Sequence, residues 1–174
     1  MATKRAEAKK PAPSKSSERS SARDAVDLLK ADHKEVKALF EQYKALVESE
    51  EIGEERQAVA QQICLLLTVH ATAEEEIFYP AARAALDESD LLDEAEVEHA
   101  SAKELIAQIE AMSPDDALYD AKVIVLGEYI DHHVKEEEGE MFPKCRKSDM
   151  DLVALGEAID ARKAELMDEM GAVA

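Results

Sequence analysis

Two stretches of this chain carry the same pattern. His70–Pro80 reads HATAEEEIFYP and His133–Pro143 reads HVKEEEGEMFP. Each has a histidine, a glutamate four residues on (Glu74, Glu137) and a proline ten residues on (Pro80, Pro143). A four-residue offset places imidazole and carboxylate one turn apart on the same helix face. That face is apolar: Ile63, Leu66 and Leu67 precede His70 on it and Ile77 follows, while Leu126, Tyr129 and Ile130 hold the matching places before His133. Ionisable side chains directed into a core are costly unless something neutralises and coordinates them. A metal ion does both.

A second pair of histidines is doubled in the same way. Asp32-His33-Lys34-Glu35-Val36-Lys37-Ala38-Leu39-Phe40 matches Glu98-His99-Ala100-Ser101-Ala102-Lys103-Glu104-Leu105-Ile106 as acid-His-x-x-apolar-Lys-x-Leu-apolar. The separations are nearly equal, 133 − 70 = 63 and 99 − 33 = 66. The chain therefore reads as one helix pair, His then His-x-x-x-Glu, occurring twice. Four of the 5 histidines fall into it. The fifth, His132, also has a glutamate four residues on, Glu136, and is the alternative to His133; the proline register favours His133.

Long segments of 3.6 period with few aromatics, 4%, and only 5 glycines point to an all-α fold. The expected helices run from about Asp24 to Val47, Glu54 to Pro80 with a continuation to Leu86 beyond a kink, Leu91 to Met112, Ser113 to Phe142 and Asp149 to Met170. Pro80 and Pro143 should kink or end their helices. Ser113-Pro114-Asp115-Asp116 reads as a helix start, and Ser148 or Asp149 as the cap of the last helix. Short connections favour an up-down-up-down four-helix bundle with an additional C-terminal helix, which bears no histidine and is expected to act as a cover. That topology gathers His33, His70, Glu74, His99, His133 and Glu137 inside one end of the bundle. Tyr79 and Phe142 are expected to pack beside the prolines, and Glu75, Glu76, Glu136 and Glu138 to form a solvated face, from which one could orient a ligand histidine.

Charge divides the chain. Residues 1–23 hold seven Lys/Arg against Glu7 and Glu18, net +5, so the remaining residues carry −19 − 5 = −24. The first segment is rich in Ala, Lys, Pro and Ser without apolar period, and is expected to be a disordered basic tail ahead of one helical domain, 24–174. It serves as a solubilising arm or as a tether to an acidic partner. The acidic body repels a phosphate backbone, which makes nucleic acid an unlikely partner. No apolar run reaches the roughly 20 residues of a membrane span. Cys64 and Cys145 have neither metal-type nor disulfide-framework spacing. With no visible secretory signal, a cytoplasmic location is the default. Nothing in the residues sets the oligomeric state.

Four imidazoles and two carboxylates exceed what one tetrahedral zinc needs. They suit two first-row metals with each glutamate available to bridge, and nitrogen and oxygen donors in a bundle core point to iron. A ferritin-type site needs Glu-x-x-His on two helices, and only Glu96 and His99 have that spacing. The order His, His-x-x-x-Glu, His, His-x-x-x-Glu over five helices resembles the hemerythrin-like HHE cation-binding domain, over roughly Ala25 to Met170. The resemblance implies a non-haem di-iron centre with bridging carboxylates, carried by His33, His70, Glu74, His99, His133 and Glu137. It also implies binding, sensing or reduction of a small ligand: oxygen, peroxide or nitric oxide. The alternative is a non-catalytic iron-binding, storage or signalling module. Oxygen-carrying hemerythrins place two histidines four apart on the third helix, whereas here Ala95 and Lys103 flank His99 at that spacing. One ligand is thus missing, which favours redox chemistry or sensing over transport. Tyr43, Tyr129 and Glu96 are the candidates to fill the gap.

Overall fold

A computed structural model describes residues 23–49, 53–87 and 89–171. The expected basic tail, 1–23, lies outside these residues except for Arg23. Among the described residues the structure is helical without strands. Helix α1 spans Ala25–Glu48, and α2 spans Gly53–Ala73. A π turn, Glu74–Phe78, carries α2 directly into α3, Tyr79–Ala85. Helix α4 spans Ser89–Glu110, and α5 spans Tyr119–Glu136. A second π turn, Glu137–Met141, leads into α6, Phe142–Lys147. Helix α7 spans Leu152–Gly171.

Asp24 starts α1 as expected, its carboxylate accepting from the Asp27 N–H at 2.9 Å. Two other start signals are displaced. Ser113 and Asp116 turn on themselves instead of opening α5: the Ser113 N–H donates to Asp116 Oδ2 at 2.8 Å and the Asp116 N–H to the Ser113 carbonyl at 2.9 Å. Such side-chain bonds compete with helix formation, and α5 begins only at Tyr119. Helix α7 is capped by Asp151, which accepts from the Ala154 N–H, and not by Ser148 or Asp149. Gly53, expected in a loop, is the first residue of α2.

Helix α1 packs on α2 and α5, and α4 packs on α5 and α2, so the four long helices form a closed bundle perimeter. Its inward residues make two apolar clusters. One holds Val36, Phe40, Tyr43, Ile63, Leu67, Ile106, Ile109, Val123 and Leu126. The other holds Val26, Leu29, Phe78, Leu92, Ala95, Met141, Phe142 and Ile159. Each histidine separates the two along its helix: Leu29, His33 and Val36 on α1 fall in that order, as do Ala95, His99 and Ala102 on α4. The end expected to carry the polar cluster is therefore closed by a second apolar layer. Helix α7 closes part of it, packing on α1, α2 and the first π turn with Ile159 fully buried. Gly156 permits this approach, since a Cβ there would lie 2.6 Å from the Arg23 carbonyl. Tyr129, expected inward, is 51% exposed. Among the described residues no helix is long and apolar enough to cross a membrane.

Candidate metal centre

The structure brings all six sequence-selected side chains into one layer. Glu74 is fully buried, Glu137 is 1% exposed, and the four histidines are 4–7% exposed. His33, His70, Glu74 and Glu137 form one group of facing donors, and Glu74, His99 and His133 form another that shares Glu74. Glu74 Oε2 lies 3.1 Å from His70 Nε2 and 3.5 Å from His99 Nε2, one histidine from each half of the chain. Glu137 Oε2 likewise lies 3.3 Å from His33 Nε2 and 3.4 Å from His133 Nε2. Each glutamate thus spans both halves. Two donors each about 2.1 Å from one metal ion at a tetrahedral angle sit about 3.4 Å apart. The observed separations cluster around that value. Of the two neighbouring histidines, His133 is buried, whereas the His132 side chain is 65% exposed.

The prolines do not break the helices. The Tyr79 N–H bonds to the Glu74 carbonyl and the Phe142 N–H to the Glu137 carbonyl, each five residues back, so one extra residue per turn is absorbed just before each proline. Pro80 and Pro143 then sit in the first turn of the resumed helix, where a missing N–H costs little. The wider turn redirects the side chains. At about 100° per residue, Tyr79 would stand about 140° from Glu74; across a π turn a residue five on falls on the same face. The Tyr79 hydroxyl therefore enters the polar layer. It donates to Glu137 Oε1 at 2.9 Å and lies 3.2 Å from His99 Nε2 and 3.5 Å from His133 Nε2. None of the residues expected to fill the third-helix gap does so. Tyr43 donates to Asp120, Tyr129 faces outward, and Glu96 pairs with Arg83. The repeat counterpart of Tyr79 is Phe142, whose ring stacks on His33 at 5.8 Å. The doubled chain is thus asymmetric here, with a hydroxyl on one side and a hydrocarbon ring on the other.

The outer ring nitrogens are all held by carboxylates. His70 Nδ1 is 3.0 Å from Asp32, and His133 Nδ1 is 2.7 Å from Glu98. His33 Nδ1 is 3.0 Å from Glu138, and His99 Nδ1 is 3.0 Å from Glu75. The pattern repeats: the acid before His33 or His99 orients the histidine of the following helix, and the acid after Glu74 or Glu137 orients one across the bundle. Glu75 and Glu138, expected on a solvated face, are therefore positioning groups; Glu76 does lie outside, paired with Arg162. Lys163 of α7 bonds Asp32 at 2.6 Å, Lys103 bonds Glu75, and Lys30 lies 3.3 Å from Glu138. Helix α7 thus braces the site as well as covering it.

A model of the hemerythrin HHE cation-binding domain matches residues 24–145. The chain belongs to this family. It is 33% identical over 122 residues to a protein named DNA nickase from Nostoc sp. (strain PCC 7120 / SAG 25.82 / UTEX 2576), a match covering 70% of this chain and 33% of the relative. The chain thus spans about a third of that relative's length. Its fold is similar to a crystal structure of a hemerythrin HHE cation-binding domain-containing protein from Mycobacterium kansasii, with TM-score 0.69, 24% identity, and coverage of 84% of this chain and 89% of that one.

The electrostatics of this HHE domain fit a cation. His33 Nε2, His70 Nε2, both Glu74 oxygens and Glu137 Oε2 are buried without a hydrogen-bond partner. Orphaned atoms of this kind carry the full cost of desolvation, and four of them face one another as the pairs His33 Nε2–Glu137 Oε2 and His70 Nε2–Glu74 Oε2. The protein's own groups compensate only partly. Burial lowers the His70 pKa, but the Glu74 carboxylate and the bond to Asp32 outweigh it and lift it to about 10. Burial raises that of Glu137, but His33, 3.3 Å away, and the neighbouring imidazoles pull it down to about 2. Burial holds His99 below its usual value. For His133, burial is outweighed by Glu137 and Glu74, and its pKa rises. Burial with the Glu74 and Glu137 charges pushes Tyr79 well up. In the metal-free chain the Glu74 and Asp32 carboxylates thus favour the protonated form of His70.

Proposed function

We propose that His33, His70, Glu74, His99, His133 and Glu137 hold two non-haem iron ions, with Glu74 and Glu137 as bridges, and that the protein binds, senses or reduces oxygen, peroxide or nitric oxide. An iron pair supplies redox equivalents and open coordination positions for such ligands. The rest of the reading concerns the chain's own groups. Two donor groups sharing one fully buried glutamate support a pair of ions over one. The nitrogen and oxygen donor set, without thiolate, supports iron.

The observation that carries the choice of ligand is the space beside the donors. A cavity of ≈ 30 Å³ lies against the rings of His33, His70, His99 and His133, walled by Val36, Leu67, Ile106 and Ile130. That volume matches one or two water-sized molecules, the size of a diatomic or peroxide rather than of an organic substrate. Val36, Leu67, Ile106 and Ile130 make most of that wall apolar, and the Tyr79 hydroxyl, hydrogen-bonded to Glu137, keeps a proton 3.2 Å from His99 Nε2. The test is to load the chain with iron, reduce it and add peroxide or nitric oxide under argon. A reactive centre changes its visible absorption with each. A storage or signalling module binds the iron and shows no change with either.

A further inference from the structure

The doubled chain offers an internal comparison that the buried centre does not use. Asp32 and Glu98 are repeat counterparts, and each orients a buried histidine of the next helix. Asp32 receives a cation on its outer side: Lys163 of α7, 2.6 Å from Oδ2. Among the described residues Glu98 has no such lysine: α7 packs on α1 and α2, away from the α4–α5 face. At Glu98 the outer side instead faces His132 and Glu136 of α5. Their repeat counterparts are Val69 and Ala73, both buried and without donor side chains.

We infer that His132, Glu98 and Glu136 form a surface site for a borderline divalent cation such as Zn²⁺. One ring nitrogen and one oxygen from each carboxylate lie within 4.8 Å of one another. His132 Nε2 is 3.4 Å from Glu98 Oε1 and 3.3 Å from Glu136 Oε1. These match the separation of about 3.4 Å expected for two ligands of one tetrahedral ion, and the separations in the buried layer. His132 and Glu136 are four apart on one helix, so their spacing is fixed by α5, and Glu98 reaches across from α4. Two carboxylates around one imidazole give the cluster excess negative charge, and among the described residues no lysine or arginine pairs with either. The fourth coordination position is open to the cleft between α4 and α5, lined by Val97, Tyr129 and His132, so an ion there exchanges with solvent. Glu98 joins the two sites: Oε1 faces the surface ion while Oε2 keeps its 2.7 Å contact with His133 Nδ1. A cation on Oε1 withdraws charge from that contact and makes His133 a weaker donor inward.

The test titrates Zn²⁺ into iron-loaded full-length protein, counts iron and zinc separately by mass spectrometry after dialysis, and follows the visible band of the iron centre. The wild type should take one more zinc per chain than His132→Ala or Glu136→Gln, with equal iron content in all three and a band shift in the wild type alone. The iron count tests the buried centre and the zinc difference tests the surface site, so either reading fails without the other. Equal zinc in wild type and both variants overturns the site. Zinc gained at the expense of iron overturns it too, because the ion has then entered the buried layer. Zinc gained without a band shift overturns the link through Glu98.

Discussion

Removing the metal should do more harm at high pH than at low pH. The perturbation is chelation, and the magnitude follows from His70. In the metal-free protein its pKa is lifted to about 10, so the ring carries a proton throughout the neutral range. That raised value favours folding fully below the unfolded value near 6.5, and the contribution is lost as pH rises through 10. Glu137, held down to about 2, behaves oppositely: its contribution is present above its unfolded value near 4.5 and is lost as pH falls through 2. The metal-free protein is therefore best supported by these groups between about pH 4.5 and 6.5. A bound metal requires His70 neutral and must displace its proton. One displaced proton is worth about 1.4 kcal/mol per pH unit. From pH 7 to pH 9 the metal's contribution should grow by about 2.7 kcal/mol from His70 alone. At about 2–4 °C per kcal/mol for a domain of this size, the gap in Tm between loaded and chelated protein should widen by about 5–11 °C. Calorimetry of the two forms at pH 7, 8 and 9 measures it, with a metal-binding isotherm at each pH as a check on proton release. A gap that stays constant or narrows refutes the reasoning, because His70 then holds no proton for the metal to displace. Coincident melting curves at every pH would mean that no metal is bound in the folded core.

Four substitutions test the placement of the site and of the helix that covers it. His133→Ala should remove one iron per chain while His132→Ala keeps the pair, read by metal analysis; the reverse outcome would put the register wrong by one residue, since the two rings point about 100° apart. Tyr79→Phe removes the hydroxyl that donates to Glu137 and should alter the absorption of the iron-loaded protein at unchanged iron content; an unchanged spectrum would place the hydroxyl away from the metals. Gly156→Ala forces a methyl against the backbone at the start of α1 and should destabilise the fold by about 1–3 kcal/mol in urea unfolding; a neutral result would mean that α7 does not pack there.

Most of this architecture is legible in the residues because apolar stripes and chemistry coincide. Leu92, Ala95, His99, Ala102, Ile106 and Ile109 recur at three and four and are all buried together on α4. The doubled His-x-x-x-Glu motif, with the doubled histidine ahead of each copy, likewise marks the six ionisable groups that share a layer. Tyr79 was hidden for a geometric reason: a fixed 3.6 period turns it away from Glu74, and only the π turn returns it. The sequence does hold a faint signal, since a proline six residues after each glutamate is what the extra residue accommodates. The positioning acids were hidden by their company. Glu75 and Glu138 sit in runs of glutamates that read as solvated, and only the packing of facing helices distinguishes them from Glu76. Lys163 was harder still, because its partner Asp32 lies 131 residues away. The failed start at Ser113 shows local side-chain bonds outcompeting a helix signal.

The central claim is that six buried donors hold two irons. It is tested most directly by metal content and visible absorption of the full chain purified from an iron-replete source, then reconstituted anaerobically with Fe²⁺. Two irons per chain, with an absorption that bleaches on reduction, is the predicted result. A single zinc per chain, with no iron taken up on reconstitution, would contradict the account.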